Sequence, residues 1–195
     1  MTIGIWGDSI VYGSCDEEGL GWVGRLRKQL SPEGWKFAIY NRGVCGEVST
    51  DLLKRFPAEF ISIKPEIVIF AFGINDSAYR GEESNNLVPL EEVRDNFKKL
   101  INLAKSSTQK IYVVGLTNVT ETLVSPLPVS STQKCFSNVS IKKYDAALKT
   151  VAEESEVTFI GVQDLLSDTD LADSLHPNAQ GYEKLYRVIS ASIAV

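Results

Sequence analysis

Histidine is almost missing from this chain of 195 residues: the sequence holds one, His176. Any reaction here that needs an imidazole base has to use it. Cysteine is nearly as scarce, with three residues, Cys15, Cys45 and Cys135. Their odd number and wide spacing argue against a disulfide framework, and none forms a CxxC metal pair. The plain reading is reduced thiols in a cytoplasmic protein. The longest apolar run, Ile67 to Ile74, is far too short to cross a bilayer, so no integral membrane segment is expected. No basic region followed by an apolar stretch and a small-residue cleavage site precedes Ile3, so no secretion signal is visible. Blocks of lysine and arginine are missing too. With a net charge of −5 the chain offers no phosphate-binding stripe, which speaks against nucleic acid as a partner.

What is present is ordinary for a globular protein, 44% apolar and 23% charged residues. The length suits one domain, 1–195, with a real core. Apolar residues alternate between two periods. Short β-branched runs at Ile3–Trp6, Phe37–Tyr40, Ile67–Phe72, Ile111–Val114 and Val157–Val162 read as strands. Between them lie helical stripes: Trp22, Val23, Leu26 and Leu30; Leu90, Val93, Phe97, Ile101 and Ala104; Ile141, Tyr144, Leu148 and Val151; Tyr182, Leu185, Ile189 and Ile193. Pro89 and Pro177 or Asn178 mark helix starts. A shorter helix begins at Ser49 or Thr50, with Pro57 expected to interrupt or end its first part. Strands alternating with helices predict an α/β fold, a parallel five-stranded sheet covered on both faces in a three-layer α/β/α sandwich. Ser77 to Pro89 and Asn118 to Phe136 read as long loops at a functional rim.

Ligands of such sheets bind outside the carboxyl ends of the strands. Four polar clusters are predicted there: Gly7-Asp8-Ser9, Asn41-Arg42-Gly43-Val44-Cys45-Gly46-Glu47, Gly73-Ile74-Asn75-Asp76, and Asp173-Ser174-Leu175-His176-Pro177. Each alone has a bland explanation as a turn or a helix cap. Together they supply the parts of acyl transfer. Ser9 offers a hydroxyl, which is a weak nucleophile until a base takes its proton. Gly7 would let the backbone turn sharply off the strand. His176 can accept that proton and return it to a leaving group, and Asp173 can fix the imidazole tautomer. Gly46 through its N–H, Asn75 through its amide and the Ser9 N–H can converge on an oxyanion. Asp168 and Asp170 are rivals to Asp173, placed farther from His176 along the chain. Cys45 reads as a small buried or pocket-lining side chain, since no second histidine exists to activate it. Asp8 either orients the serine loop or caps it. Tyr12, Tyr79 and Leu175 either line the cleft or pack.

In this order the four clusters resemble the blocks of the SGNH (GDSL-like) hydrolase superfamily, whose naming residues match Ser9, Gly46, Asn75 and His176. The resemblance spans residues 7 to 177, and all blocks with Asp-x-x-His-Pro are far more specific than Gly-Asp-Ser alone. It implies a flavodoxin-like five-stranded sandwich and an esterase or lipase that needs no metal or cofactor, with Asp173 as the triad aspartate. Ile10 replaces the leucine of the name motif. Cys45 and Glu47 stand where serine and aspartate often flank the second-block glycine. The expected reaction is hydrolysis of a small-molecule ester through an acyl-enzyme, with short acyl groups favoured by a small domain. Carbohydrate O-acetyl esters, lysophospholipids, thioesters and acyl transfer to an alcohol would use the same residues. Protonation of His176 should stop the reaction on the acid side.

Overall fold

The computed structural model describes residues 1–30, 36–108 and 110–193. Its elements are β1 (Thr2–Gly7), α1 (Ser9–Tyr12), α2 (Gly21–Leu30), β2 (Ala38–Gly43), α3 (Ser49–Ile63), β3 (Ile67–Ala71) and α4 (Ile74–Ser77). They continue with β4 (Tyr79–Arg80), β5 (Glu82–Asn86), α5 (Leu90–Lys105), β6 (Lys110–Val114), α6 (Asn138–Glu154), β7 (Thr158–Ile160) and α7 (Ala179–Ser192). The main sheet has the order β2-β1-β3-β6-β7 and every pair in it is parallel. This is the expected five-stranded sandwich. The apolar runs are continuous because both faces are covered. Ile3, Ile5, Ile67 and Ile69 pack with α2 and α7, while Trp6, Val68 and Phe70 pack with α3, α5 and α6.

Three expectations need correction. Pro57 neither ends nor divides α3, which runs unbroken from Ser49 to Ile63. The proline removes one helical donor, but Leu52, Phe56 and Phe60 on either side of it share one buried face, and the rings of Phe56 and Phe60 stack at 5.1 Å. The strand read as Phe37–Tyr40 extends to Gly43. Asn41 and Arg42 look like loop residues by polarity, yet on this edge strand they pair with Ile5 and Trp6 and bond outward, Arg42 Nε to Glu59 at 3.1 Å. The stretch after Ser77 is not wholly loop, since β4 and β5 form an antiparallel hairpin. Tyr79 also exchanges both backbone bonds with Cys135, at 3.0 and 2.9 Å, so the two long connections are joined.

Candidate active site

The ends of three neighbouring strands stand in one row: Gly7 is opposite Gly43 on one side and Ala71 on the other. Ser9, Gly46 and Asn75 lie two, three and four residues beyond that row. Their clustering follows from sheet register. Gly7 is needed for a reason other than the one expected. It is not among the glycines with positive φ; instead, a Cβ there would stand 2.2 Å from Val11 Cγ2 and 2.3 Å from the Ala71 carbonyl. Absence of a side chain thus lets α1 fold directly back on β1. Asp8 caps that turn by accepting the Ile10 N–H at 2.9 Å. Asn41 fastens it to β2, donating to the Val11 carbonyl at 2.8 Å. Gly46 has φ +77, and a Cβ would meet nothing within 4 Å, so backbone conformation rather than crowding demands glycine and the residue faces open space.

Asn75 is 4% exposed, and its Nδ2 is buried without a hydrogen-bond partner among the described residues. Its Oδ1 accepts from Lys134 Nζ at 3.2 Å. An ammonium only donates, so Lys134 fixes the amide with its oxygen turned away and its NH₂ left free. Lys134 lies in the 118–136 connection, and sequence reasoning missed it because no local pattern marks a lysine that points at a distant asparagine. Burial, then the neighbouring Arg80, pushes its ammonium below the usual lysine value.

The histidine arrives by another route. After β7 the chain makes a 3-10 turn at Asp168–Asp170 and returns on itself, with the Ala172 N–H bonded to the His176 carbonyl at 2.8 Å. Asp173 Oδ1 accepts the amides of Leu175 (3.1 Å) and His176 (2.7 Å). Asp173 Oδ2 lies 2.7 Å from His176 Nδ1, and His176 Nε2 lies 2.8 Å from Ser9 Oγ. The rivals are occupied elsewhere: Asp170 binds Lys184 at 2.7 Å, and Asp168 accepts from Thr120 Oγ1 at 2.7 Å. Burial works to raise Asp173, but the bonds from the His176 ring and backbone outweigh it and hold the carboxyl well below the ordinary range. Asp8 and Asp76 go the other way: burial, above all, raises them to about 6 and about 7.

Besides the His176–Ser9 contact, several bonds tie the histidine segment and α7 to the serine side, three of them at Ala179 and Tyr182. Tyr182 Oη donates to the Ser14 carbonyl at 2.7 Å, the Ala179 N–H donates to Glu17 at 2.9 Å, and Arg25 Nη2 donates to the Ala179 carbonyl at 3.1 Å. Arg25 is itself fixed by a buried ion pair with Asp16 at 2.5 Å. Cys45 is exposed rather than buried, with Sγ 3.3 Å from Ser14 Oγ, because the loop it occupies stands at the rim. Glu47 is taken up by Arg55, whose Nε donates to Oε1 at 2.6 Å. Leu175 packs in the core, Tyr79 belongs to the hairpin, and Tyr12 is 62% exposed at the end of α1.

Residues 5–184 match the profile of the GDSL-like Lipase/Acylhydrolase family. The chain belongs to this family. Ester-hydrolase chemistry is therefore the class in which it stands. Among curated relatives, the Esterase TesA of Pseudomonas aeruginosa is 28% identical over 116 residues, covering 60% of this chain and 54% of that protein, so the chain matches little more than half of its length. The Isoamyl acetate-hydrolyzing esterase 1 homolog of Homo sapiens is 26% identical over 93% of this chain and 77% of that protein. Among solved structures, Axe2, an acetylxylan esterase from Geobacillus stearothermophilus, superposes with a TM-score of 0.76 at 22% identity, covering 100% of this chain and 94% of that one. That likeness concerns the fold. No helix among the described residues is long and apolar enough to cross a membrane.

Proposed function

We propose that this protein is a serine esterase that hydrolyses small, short-acyl carboxylic esters through an acyl-enzyme. The observation that carries the reading is the bonded chain Asp173–His176–Ser9 beside the partnerless amide of Asn75. Ser9 Oγ attacks the ester carbonyl carbon while His176 Nε2 takes its proton. The negative charge that develops on the carbonyl oxygen is met by Asn75 Nδ2 and by the N–H groups of Gly46 and Ser9. His176 then gives its proton to the departing alkoxide and leaves an acyl group on Ser9. A water deprotonated by His176 attacks this acyl group, releases the acid and restores Ser9. Asp173 stays ionised throughout, holding Nδ1–H and stabilising the imidazolium. Lys134 acts through Asn75 and is a positioning residue.

The open space beside Gly46 and the exposure of Tyr12 support a shallow site suited to a short acyl group. The human relative's name speaks of isoamyl acetate, an acetyl ester, which agrees with that preference. The test is a panel of nitrophenyl esters of rising chain length, run beside acetylated sugars, a lysophospholipid and an acyl thioester, with an alcohol acceptor added in one arm. Acetyl and butyryl esters should be hydrolysed fastest, with acid as the main product. Ser9→Ala should lose both hydrolysis and labelling by a fluorophosphonate. Retention of wild-type hydrolysis by Ser9→Ala would sink the mechanism, and a long-chain optimum would sink the substrate preference.

A further inference from the structure

One thiol reaches the carboxylate of the bonded chain from outside it. Cys15 Sγ lies 3.5 Å from Asp173 Oδ2. One donor atom each from Cys15, Asp173 and His176 lies within 4.8 Å of the other two. The three come from opposite ends of the sequence, and Cys15 and Asp173 are exposed, so an ion reaches them from solvent without any opening of the fold. Cys15 also holds φ +64, a left-handed backbone that residues with a Cβ adopt rarely and that tends to persist at functional positions. Ester hydrolysis as derived above makes no use of this thiol.

We propose that Cys15, Asp173 and His176 form a binding site for a thiophilic divalent cation of the zinc type, and that its occupancy switches the esterase off. Thiolate sulfur, imidazole nitrogen and carboxylate oxygen are the donors such an ion takes, and three protein ligands with a water complete a tetrahedron. Bonds of about 2.0–2.3 Å place tetrahedral ligand atoms roughly 3.3–3.8 Å apart, so the present cluster closes around an ion by small side-chain rotations. Binding exchanges the thiol proton for the metal: Cys–SH and M²⁺ give Cys–S–M⁺, and the proton leaves to solvent. The ion then draws Asp173 and the imidazole into its own coordination. Asp173 no longer holds His176 in line with Ser9, and Ser9 loses its proton acceptor. Hard cations such as Mg²⁺, which seek oxygen ligands, should not compete.

The inhibition rests on the esterase reading; the binding does not. The test uses the full chain, kept reduced by a non-thiol reductant and free of chelators. Co²⁺ is the spectroscopic probe and Zn²⁺ the competitor. Titration of the wild-type protein should develop thiolate-to-cobalt charge-transfer absorption saturating at one ion per chain, abolished by Zn²⁺. Ser9→Ala and Cys135→Ser should keep the band and Cys15→Ser should lose it. Zn²⁺ should inhibit ester hydrolysis by the wild type and by Cys135→Ser, reversibly with EDTA. Inhibition of Cys15→Ser should need at least the roughly 10–100-fold more ion that even outer ligand partners account for. No band in the wild type, or an undiminished band in Cys15→Ser, overturns the site. Full hydrolysis at saturating Zn²⁺ overturns the switch. A normal band in a protein that hydrolyses no ester leaves the site standing and removes the esterase reading instead.

Discussion

The two halves of the site are held in place by different means. Ser9, Gly46 and Asn75 hang within four residues of a hydrogen-bonded row of strand ends, so backbone pairing carries all three to one edge and the Asp8, Asn41 and Lys134 side chains only trim their positions. Asp173 and His176 follow β7, an edge strand of three residues, on a stretch with only a 3-10 turn before α7. Their position depends on contacts from outside the sheet: the Thr120 N–H on the Ser174 carbonyl at 2.9 Å, Leu175 in the core, and the side-chain bonds of Tyr182 to Ser14, Glu17 to Ala179, and Arg25 to both Asp16 and Ala179. The proposed nucleophile half is held chiefly by the sheet, whereas the proposed base half is held by a few long-range contacts. The second arrangement is easier to disturb without unfolding the molecule.

The largest effect is expected at the point where the halves meet. His176→Ala should lower kcat by on the order of 10⁴–10⁶, as removal of one member of a triad does elsewhere. It should slow fluorophosphonate labelling of Ser9 in parallel. No other imidazole exists in the chain to substitute. Adding Ser9→Ala should cost little more, because the two act as a unit. Independent, multiplying losses would show that they do not.

Next comes the tether. Arg25 and Asp16 are both buried, and removing one member of a buried pair costs on the order of 3–5 kcal/mol. Arg25→Met should therefore lower the urea midpoint sharply, whereas Lys54→Met, which removes an exposed pair with Asp51, should change stability by about 1 kcal/mol or less and hardly move the midpoint. The amides of 173–176 should exchange faster in Arg25→Met while those of β1 keep their protection. Equal acceleration in both places would mean that the halves are not held separately.

A smaller effect belongs to the nucleophile half. Losing the proposed oxyanion donor outright, as in Asn75→Ala, should cost on the order of 10²–10³ in kcat. Lys134→Met leaves the amide in place but frees its rotation, so kcat should fall roughly tenfold, less than the loss of the donor itself, with KM little changed. Lys134→Arg should recover most of it. In an Asn75→Ala background Lys134→Met should add nothing, and an additive loss would assign Lys134 a role outside Asn75.

The same division explains what could be read from the chain. Ser9, Gly46 and Asn75 were legible because a strand pattern followed by a polar cluster says where the cluster goes. His176 was legible by its uniqueness, and Asp173 by local reach. Lys134, Asn41 and the Arg25–Asp16 pair were not, since each acts on a partner whose nearness only the folded chain creates. Pro57 misled because packing of Phe56 and Phe60 outweighs one lost helical donor. Gly7 permits the sharp turn off the strand that the sequence predicts, but close approach of Val11 and Ala71 rather than a positive φ is what demands it.

The mildest prediction concerns the carboxylates on either side. Asp76 sits fully buried next to Asn75, one oxygen accepting the Ser49 N–H at 2.9 Å and the other unpartnered among the described residues. Burial raises it to about 7 from an ordinary 3.8. Between those values the folded state holds a proton that the unfolded chain has released, so stability falls as pH rises through that window. Asp173 has the opposite sign: its lowered value contributes stability that is present above the ordinary carboxylate range and lost as pH falls below it. Asp76→Asn keeps the bond from Ser49 and removes only the titration. Urea midpoints measured from about pH 4 to about pH 7 should decline less steeply in Asp76→Asn than in the wild type. Asp173→Asn should leave that slope unchanged but lower the midpoints throughout that window, and it should flatten the further loss at more acid pH. Identical slopes in wild type and Asp76→Asn would mean that Asp76 carries its charge at neutral pH. The proposed nucleophile half would then hold a buried anion next to Asn75, opposing the charge proposed to form there.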